Sequence, residues 1–166
     1  MWCRSTRVMG EDRHIHLDAV GGAAGDMFVA AILDALPALR GRVLSDAAAV
    51  LPAGLGTPGL KAGSSGGLAA CRFGLGDAAP AAAMQGHAAP RRFPEMVDHI
   101  ARAGLSEGSA DQAIAVLRIL AEAEGRIHGV PIEEVHFHEL SDWDSLMDVA
   151  AAGSITAALA GATSSR

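Results

Sequence analysis

Residues 134–140 read E-V-H-F-H-E-L, and S-D-W-D-S-L-M-D follows at once. In an extended segment side chains alternate, so His136 and His138 fall on one side and Phe137 on the other. Imidazoles one pleat apart can share a metal such as Zn, Ni, Cu or Fe, and Glu139 or Asp144 can add oxygen donors. The same rings, neutral, can instead hydrogen-bond backbone groups and helix caps. The neighbouring Asp142, Asp144 and Asp148 strengthen the metal reading, because one ion needs several donors within a short reach. Asp144 and Asp148 stand four apart in a predicted helix, where two like charges cost about a few tenths of a kcal/mol. A cation, a histidine or an arginine between them would remove that cost, and a solvated helix start would tolerate it.

Two other places carry chemistry. H-I-H-L-D-A-V, residues 14–20, reads as a short strand with His14, His16 and Asp18 on one face. An HxH pair on a first strand also occurs in barrel hydrolases, but 166 residues do not close an eight-stranded βα barrel, so a structural role is expected there. Next, G-G-A-A-G-D at residues 21–26 forms a tight turn whose backbone N–H groups could meet a phosphate at a helix N-terminus. Asp26 would complement the helix dipole there, and would repel an anion unless a cation sits between them. His128 closes a long helix, where a cap is expected rather than a ligand.

The elements that must position these groups follow from periodicity. A helix is expected over residues 24–36, with Met27, Ala31, Ile32 and Ala35 as its apolar face and Pro37 at its end. A second helical piece covers about 39–51, and residues 59–76 read as a hairpin turning at 64–67. After a low-complexity loop, Phe93, Met96, Val97 and Ile100 share a helical face that ends at Gly104. Ser109 to Gln112 has the form of a capping box and opens a helix through 127, with Ile114, Leu117, Leu120 and Ala121 inward. A short strand at 135–140 and a last helix from about 144 to 159 complete the chain. This order predicts an α/β or α+β domain: a small mixed sheet packed by about five helices, with a strand–glycine turn–helix unit at the start. One domain over 14–160 is expected, with tails at 1–13 and 161–166 and a flexible loop at about 76–92.

Composition narrows the function. Half the residues are apolar but only 4% are aromatic, and 20 are glycine, so the core must close by near approach of backbones. A net charge of −6, with arginines scattered along the chain, argues against a nucleic-acid footprint. Cys3 and Cys71 lie too far apart in sequence for a CxxC pair and suggest no disulfide scaffold. No secretory signal and no membrane-spanning run is visible, so a cytoplasmic location is expected.

L-D-A-V-G-G-A-A-G-D-M-F near the start, L-A-E-A-E-G-R-I-H-G in the middle and E-V-H-F-H-E-L-S-D-W-D-S-L-M-D late are together similar to one family. The chain resembles the N-terminal half of the nickel-insertion proteins that mature the nickel-pincer cofactor of lactate racemase, the LarC family. The resemblance implies insertion of nickel into a pyridinium-3,5-bisthiocarboxylic acid mononucleotide, making one nickel–carbon and two nickel–sulfur bonds. It also implies dependence on CTP with a divalent metal, both expected on a C-terminal half that lies outside this sequence. The same resemblance marks Asp18, Gly25 and Asp26 as positions to test, and we expect Asp18 and Asp26 as catalytic carboxylates and the glycine turn, Gly22 and Gly25, as cofactor-binding. It suggests His136, His138, Glu139, Asp144 and Asp148 as metal ligands, with Ser145 in the same motif. Partners would be the nickel-pincer nucleotide precursor, the C-terminal half or subunit, and further copies of the chain in a homo-oligomer, with no nucleic acid and no membrane. The loop before the long helices holds only His87 where the family is often histidine-rich, and His14 and His16 replace apolar strand residues, so neither is assigned a role. The alternative function is a noncatalytic assembly domain that docks a catalytic subunit through the small residues at 150–160. If the metal reading holds, Asp18 and Asp26 should come to within roughly 10 Å of the histidine motif, a span that two metal bonds of about 2 Å and a bridging group can cover.

Overall fold

The computed structural model describes residues 15–18, 22–76, 92–138 and 142–163. The expectations for His14, Gly21, Glu139, residues 1–13 and the loop residues 77–91 lie outside these. In chain order the elements are α1 (Gly25–Ala35), a 3₁₀ turn (Pro37–Leu39), α2 (Arg40–Ala49), β1 (Thr57–Ser65), β2 (Leu68–Gly76), α3 (Phe93–Arg102), α4 (Ser109–His128), a second 3₁₀ turn (Ile132–Glu134) and α5 (Trp143–Thr163). Five helices and one two-stranded antiparallel sheet among the described residues make an α+β fold.

The sheet is confined to the hairpin. Its register runs from Thr57 opposite Gly76 to Ser65 opposite Leu68, leaving Gly66 and Gly67 as a two-residue turn. Both glycines have positive φ, 56° and 81°, the backbone that matches the twist of paired strands. Few β-branched residues support these strands. Pro58 and Phe73 are buried instead, and Leu60, Cys71 and Leu75 pack partly against the core. The strand expected at 14–20 is absent over its described residues 15–18, where all four side chains are exposed and no buried face rewards pairing. Over its described residues, 135–138, the strand expected at 135–140 reduces to one antiparallel bridge between His136 and Arg92.

Helix α1 buries Val29, Ala30, Ile32 and Leu33, whereas Met27 is 54% exposed and Ala31 and Ala35 face outward. The expected face is therefore rotated, because α1 is gripped by α5 and by β2 on two flanks instead of one. Helix α3 buries Phe93, Met96 and Ile100, and the Glu95 carboxylate accepts the Arg92 N–H at 3.4 Å to cap its start. Helix α4 turns Leu117 and Ala121 fully inward, with Ile114 and Leu120 partly buried.

Helix α5 lies at the centre, packed against α1, α2 and α4. Leu146, Met147, Ala150, Ala151 and Ile155 are all fully buried on it. At Gly153 a Cβ would stand 2.6 Å from the Ala113 nitrogen and 2.7 Å from the Ser109 carbonyl, so α4 and α5 meet backbone to backbone. Much of the small-residue stretch that offered a docking face is thus consumed inside the domain.

One polar network pins this packing. Asp46 on α2 is buried and accepts the Ser106 N–H, the Ser106 hydroxyl and the Ser109 hydroxyl, each at 2.8 Å. Arg42 donates to the Glu107 carbonyl at 2.6 Å and to the Ser109 hydroxyl at 3.0 Å. Burial opposes the Asp46 charge, but the Ser154 hydroxyl nearby (short of hydrogen-bond geometry) and the bonds from Ser106 and Ser109 outweigh it and hold the carboxyl below its ordinary value. Ser109 is consequently no capping box. Gly108, with φ 76°, takes the cap position, and the serine hydroxyl turns to Asp46.

Gly153→Ala should destabilise the fold by about 1–3 kcal/mol through overpacking. Gly41→Ala, at an exposed position of α2 with nothing within 4 Å of the new carbon, should stabilise it by about 0.5–1 kcal/mol. Urea unfolding of the two variants checks the opposite signs.

Candidate functional site

Two helix starts meet. At the start of α5, the Asp142 carboxylate accepts the Ser145 N–H at 2.7 Å and its carbonyl accepts the Leu146 N–H at 3.3 Å. Asp142 is thus the N-cap, which places Asp144 in the first turn and Asp148 one turn further along the same face. Helix α1 begins after Ala24, which has no side chain to cap it. Acids fill that role: Asp26 accepts the Met27 N–H at 2.8 Å, and Asp148 from α5 lies against the Gly25 backbone. A Cβ at position 25 would stand 2.7 Å from Asp148 Oδ2 and 2.9 Å from Asp148 Cβ. Glycine is required at Gly25 because a carboxylate occupies the space, a reason the sequence pattern alone does not reveal.

The electrostatics follow from this contact. Burial, then the charges of Asp144 and Asp26, push the Asp148 carboxyl up to about 7, although the Asp26 N–H facing it favours the anion. Burial, then Asp142 and Asp26, also raise Asp144. Asp148 Oδ1 is buried and takes no hydrogen bond. The anion-seeking end of α1 is therefore already filled by the chain's own carboxylates. A phosphate can settle there only with a cation between, whereas a cation alone meets three acids and an open oxygen lone pair.

The histidine motif sits on another support. Val135 and Phe137 are buried while His136 and His138 are exposed, the alternation expected of an extended segment. The Phe93 N–H donates to the Val135 carbonyl at 3.1 Å and ties the segment to the start of α3. The ring of His138 lies 6.3 Å from that of His128, the last residue of α4. His128 in turn lies 3.2 Å from the Glu124 carboxylate. His128, His136 and His138 line one concavity of about 160 Å³ together with Glu134, Val130 and Val135. His128 was expected only as a cap; Gly129 and Pro131, which stop α4 and turn the chain back, are the signal that it returns to the motif.

The structure thus joins Asp26, Gly25, Asp144 and Asp148 in one place, and joins His136 and His138 to His128 in another. No aspartate of the acidic group lines the histidine concavity. Among the described residues, no three His, Cys, Asp or Glu side chains stand so placed that they could hold a single metal ion. Asp18 lies in the exposed segment 15–18, and Gly22 is exposed with φ 104°, a backbone that favours glycine. Asp26 also borders a cleft of about 480 Å³ between α1 and β2, which Met27, Asp34, Cys71 and Arg72 help to line. There the Cys71 thiol donates to Asp34 at 3.4 Å, and that acceptor pushes the thiol up.

Gly25→Ala should destabilise the protein by about 1–3 kcal/mol, because the Asp148 Cβ cannot swing away as its carboxylate can. A double-mutant cycle with Asp148→Ala should show clear non-additivity. Because the folded protein holds the Asp148 proton more tightly than the unfolded chain, with its ordinary value of 3.8, stability falls as pH rises from there through about 7. Metal-free protein should therefore melt at a lower temperature at pH 8 than at pH 5, and Asp148→Asn should flatten that part of the profile in differential scanning calorimetry.

A profile of the nickel insertion protein family matches residues 15–163. A protein of Myxococcus xanthus named for nickel insertion is 37% identical over 150 residues, covering 84% of this chain and 34% of its own length. One of Geobacter metallireducens, named likewise, is 34% identical over 137 residues, covering 81% of this chain and 33% of its own. A Geobacillus kaustophilus protein named pyridinium-3,5-bisthiocarboxylic acid mononucleotide nickel insertion protein is 42% identical over 67 residues, which are 40% of this chain and 16% of its own. The chain spans about a third of the length of the curated relatives that it matches over most of its residues. No solved structure matches it. With the profile extending over both helix starts and the histidine segment, the chain belongs to the nickel insertion protein family.

Proposed function

We propose that this chain is the N-terminal part of an insertase that loads nickel into pyridinium-3,5-bisthiocarboxylic acid mononucleotide, the precursor of the pincer cofactor of lactate racemase. The observation that carries the reading is the Asp148 carboxylate wedged against Gly25 beside Asp26 and Asp144, with one oxygen buried and unbonded. Three acids at two helix starts repel one another, and a divalent cation relieves that repulsion. Nickel is cargo here, and a half-enclosed site suits cargo, because ligands from the nucleotide can complete the shell and carry the ion away.

Asp144 and Asp148 hold the ion, and His136, His138 and Glu139 supply further donors on its way in. Asp26 and Asp18 are the catalytic carboxylates that face the nucleotide. Gly22 and Gly25 let the backbone approach its phosphate, with the ion between that phosphate and the acids. The cleft between α1 and β2 gives room for a ligand of nucleotide size, since such sites typically measure about 300–1,000 Å³. CTP and its divalent metal act on a C-terminal half or subunit with which this chain works in the cytoplasm, and copies of the chain associate as a homo-oligomer. None of the described helices is long and apolar enough to cross a membrane.

Nickel titration of chelator-stripped protein with the nucleotide present is the test. Binding to wild type should weaken by about tenfold for each pH unit below 7, as the proton on Asp148 competes with the ion. Asp144→Asn/Asp148→Asn should bind more weakly at neutral pH and lose that slope. Equal affinity of the two proteins across pH 6 to 8 would remove the carboxylates from the reaction.

A further inference from the structure

We propose that His128, His136 and His138 form a separate docking point for a first-row divalent cation, and that nickel enters the protein there before reaching the carboxylates. The proposal rests on the nickel-insertion reading but stands on different residues. Three imidazoles from two elements, the end of α4 and the extended segment after it, line one concavity of about 160 Å³, the scale of a hydrated ion. Imidazole is a ligand that suits nickel.

As placed the rings do not close on an ion, and side-chain rotation would have to bring them together. Two imidazoles on one tetrahedral ion sit with ring centres roughly 5 Å apart, given metal–nitrogen bonds of about 2 Å. The His128 and His138 rings stand 6.3 Å apart and steeply inclined, at 63°. His128 is exposed, and exposed side chains change rotamer within nanoseconds, so its ring can turn toward that of His138. Their backbones do not need to move, because Phe137 is 2% exposed and anchors the segment while Gly129 fixes the end of α4. Glu124, 3.2 Å from His128 Nε2, can orient that ring and strengthen it as a ligand through the other nitrogen. Glu134 lines the same concavity and can lend a carboxylate to the shell. A docking point that must close by rotation binds and releases quickly, which is what entry requires.

The test uses nickel chloride alone on the whole chain, without nucleotide, read by the imidazole resonances in NMR and by calorimetry. Nickel should broaden the signals of His128 and His138 at the lowest additions and spare His99, whose Nε2 is 2.7 Å from the Val50 carbonyl. His128→Ala should weaken this binding by about tenfold or more. That variant removes an exposed side chain, and circular dichroism confirms its fold. Unchanged affinity in His128→Ala, or no broadening of His128 while nickel binds, overturns the docking point. The same titration of Asp144→Asn/Asp148→Asn should broaden His128 and His138 as before. Loss of the broadening there would mean one combined site and would also overturn the proposal. Failure of either kind leaves the nucleotide-dependent, Asp148-controlled binding to its own measurement, so the two readings fail separately.

Discussion

Helix α5 is approached to contact distance from two sides, by the backbone of α4 at Gly153 and by that of α1 at Gly25. The buried polar network and the acidic group both depend on this. A chain with few aromatic residues has little bulk with which to fill gaps between helices, so its helices must come close. At Gly153 the approach lets α4 seat Ser109 on Asp46, which ties α2 to α4 through a buried hydrogen bond. At Gly25 the approach forces the start of α1 onto Asp148 and assembles the acidic group.

That second contact is unfavourable to the apo fold and useful to a metal. A buried carboxyl with other acids beside it is held near neutrality, poised between proton and cation. The N-terminal dipole of α1 offsets part of the cost, which is why the acids settle there. Under the proposed function, a site poised in this way would exchange an ion with its surroundings instead of keeping it.

The division between carboxylates and imidazoles is also physical. Phe137 and Val135 enter the core and so turn His136 and His138 outward, toward the end of α4. The acids, one turn apart on α5, face α1. One late stretch of sequence therefore supplies two sets of donors to two different neighbours.

By itself the sequence determined what is local or periodic. The hairpin turn at Gly66 and Gly67, the helices from α2 to α5 and the outward pairing of His136 and His138 all follow from residue type and spacing over a few positions. The family followed too, because its motifs are long. The strand expected around residues 15–18 failed, since alternation predicts a strand only where a partner edge and a buried face exist. The face of α1 was misjudged because two neighbours, invisible in a single helical wheel, share it. Ser109 matched a capping box by spacing, but a buried carboxylate 63 residues earlier claimed its hydroxyl. Only the tertiary structure decided that Gly25 makes room for Asp148 and that His128 joins the histidine motif. The first depends on two residues far apart in the chain, and the second on where the chain comes to rest after it turns back at the end of α4.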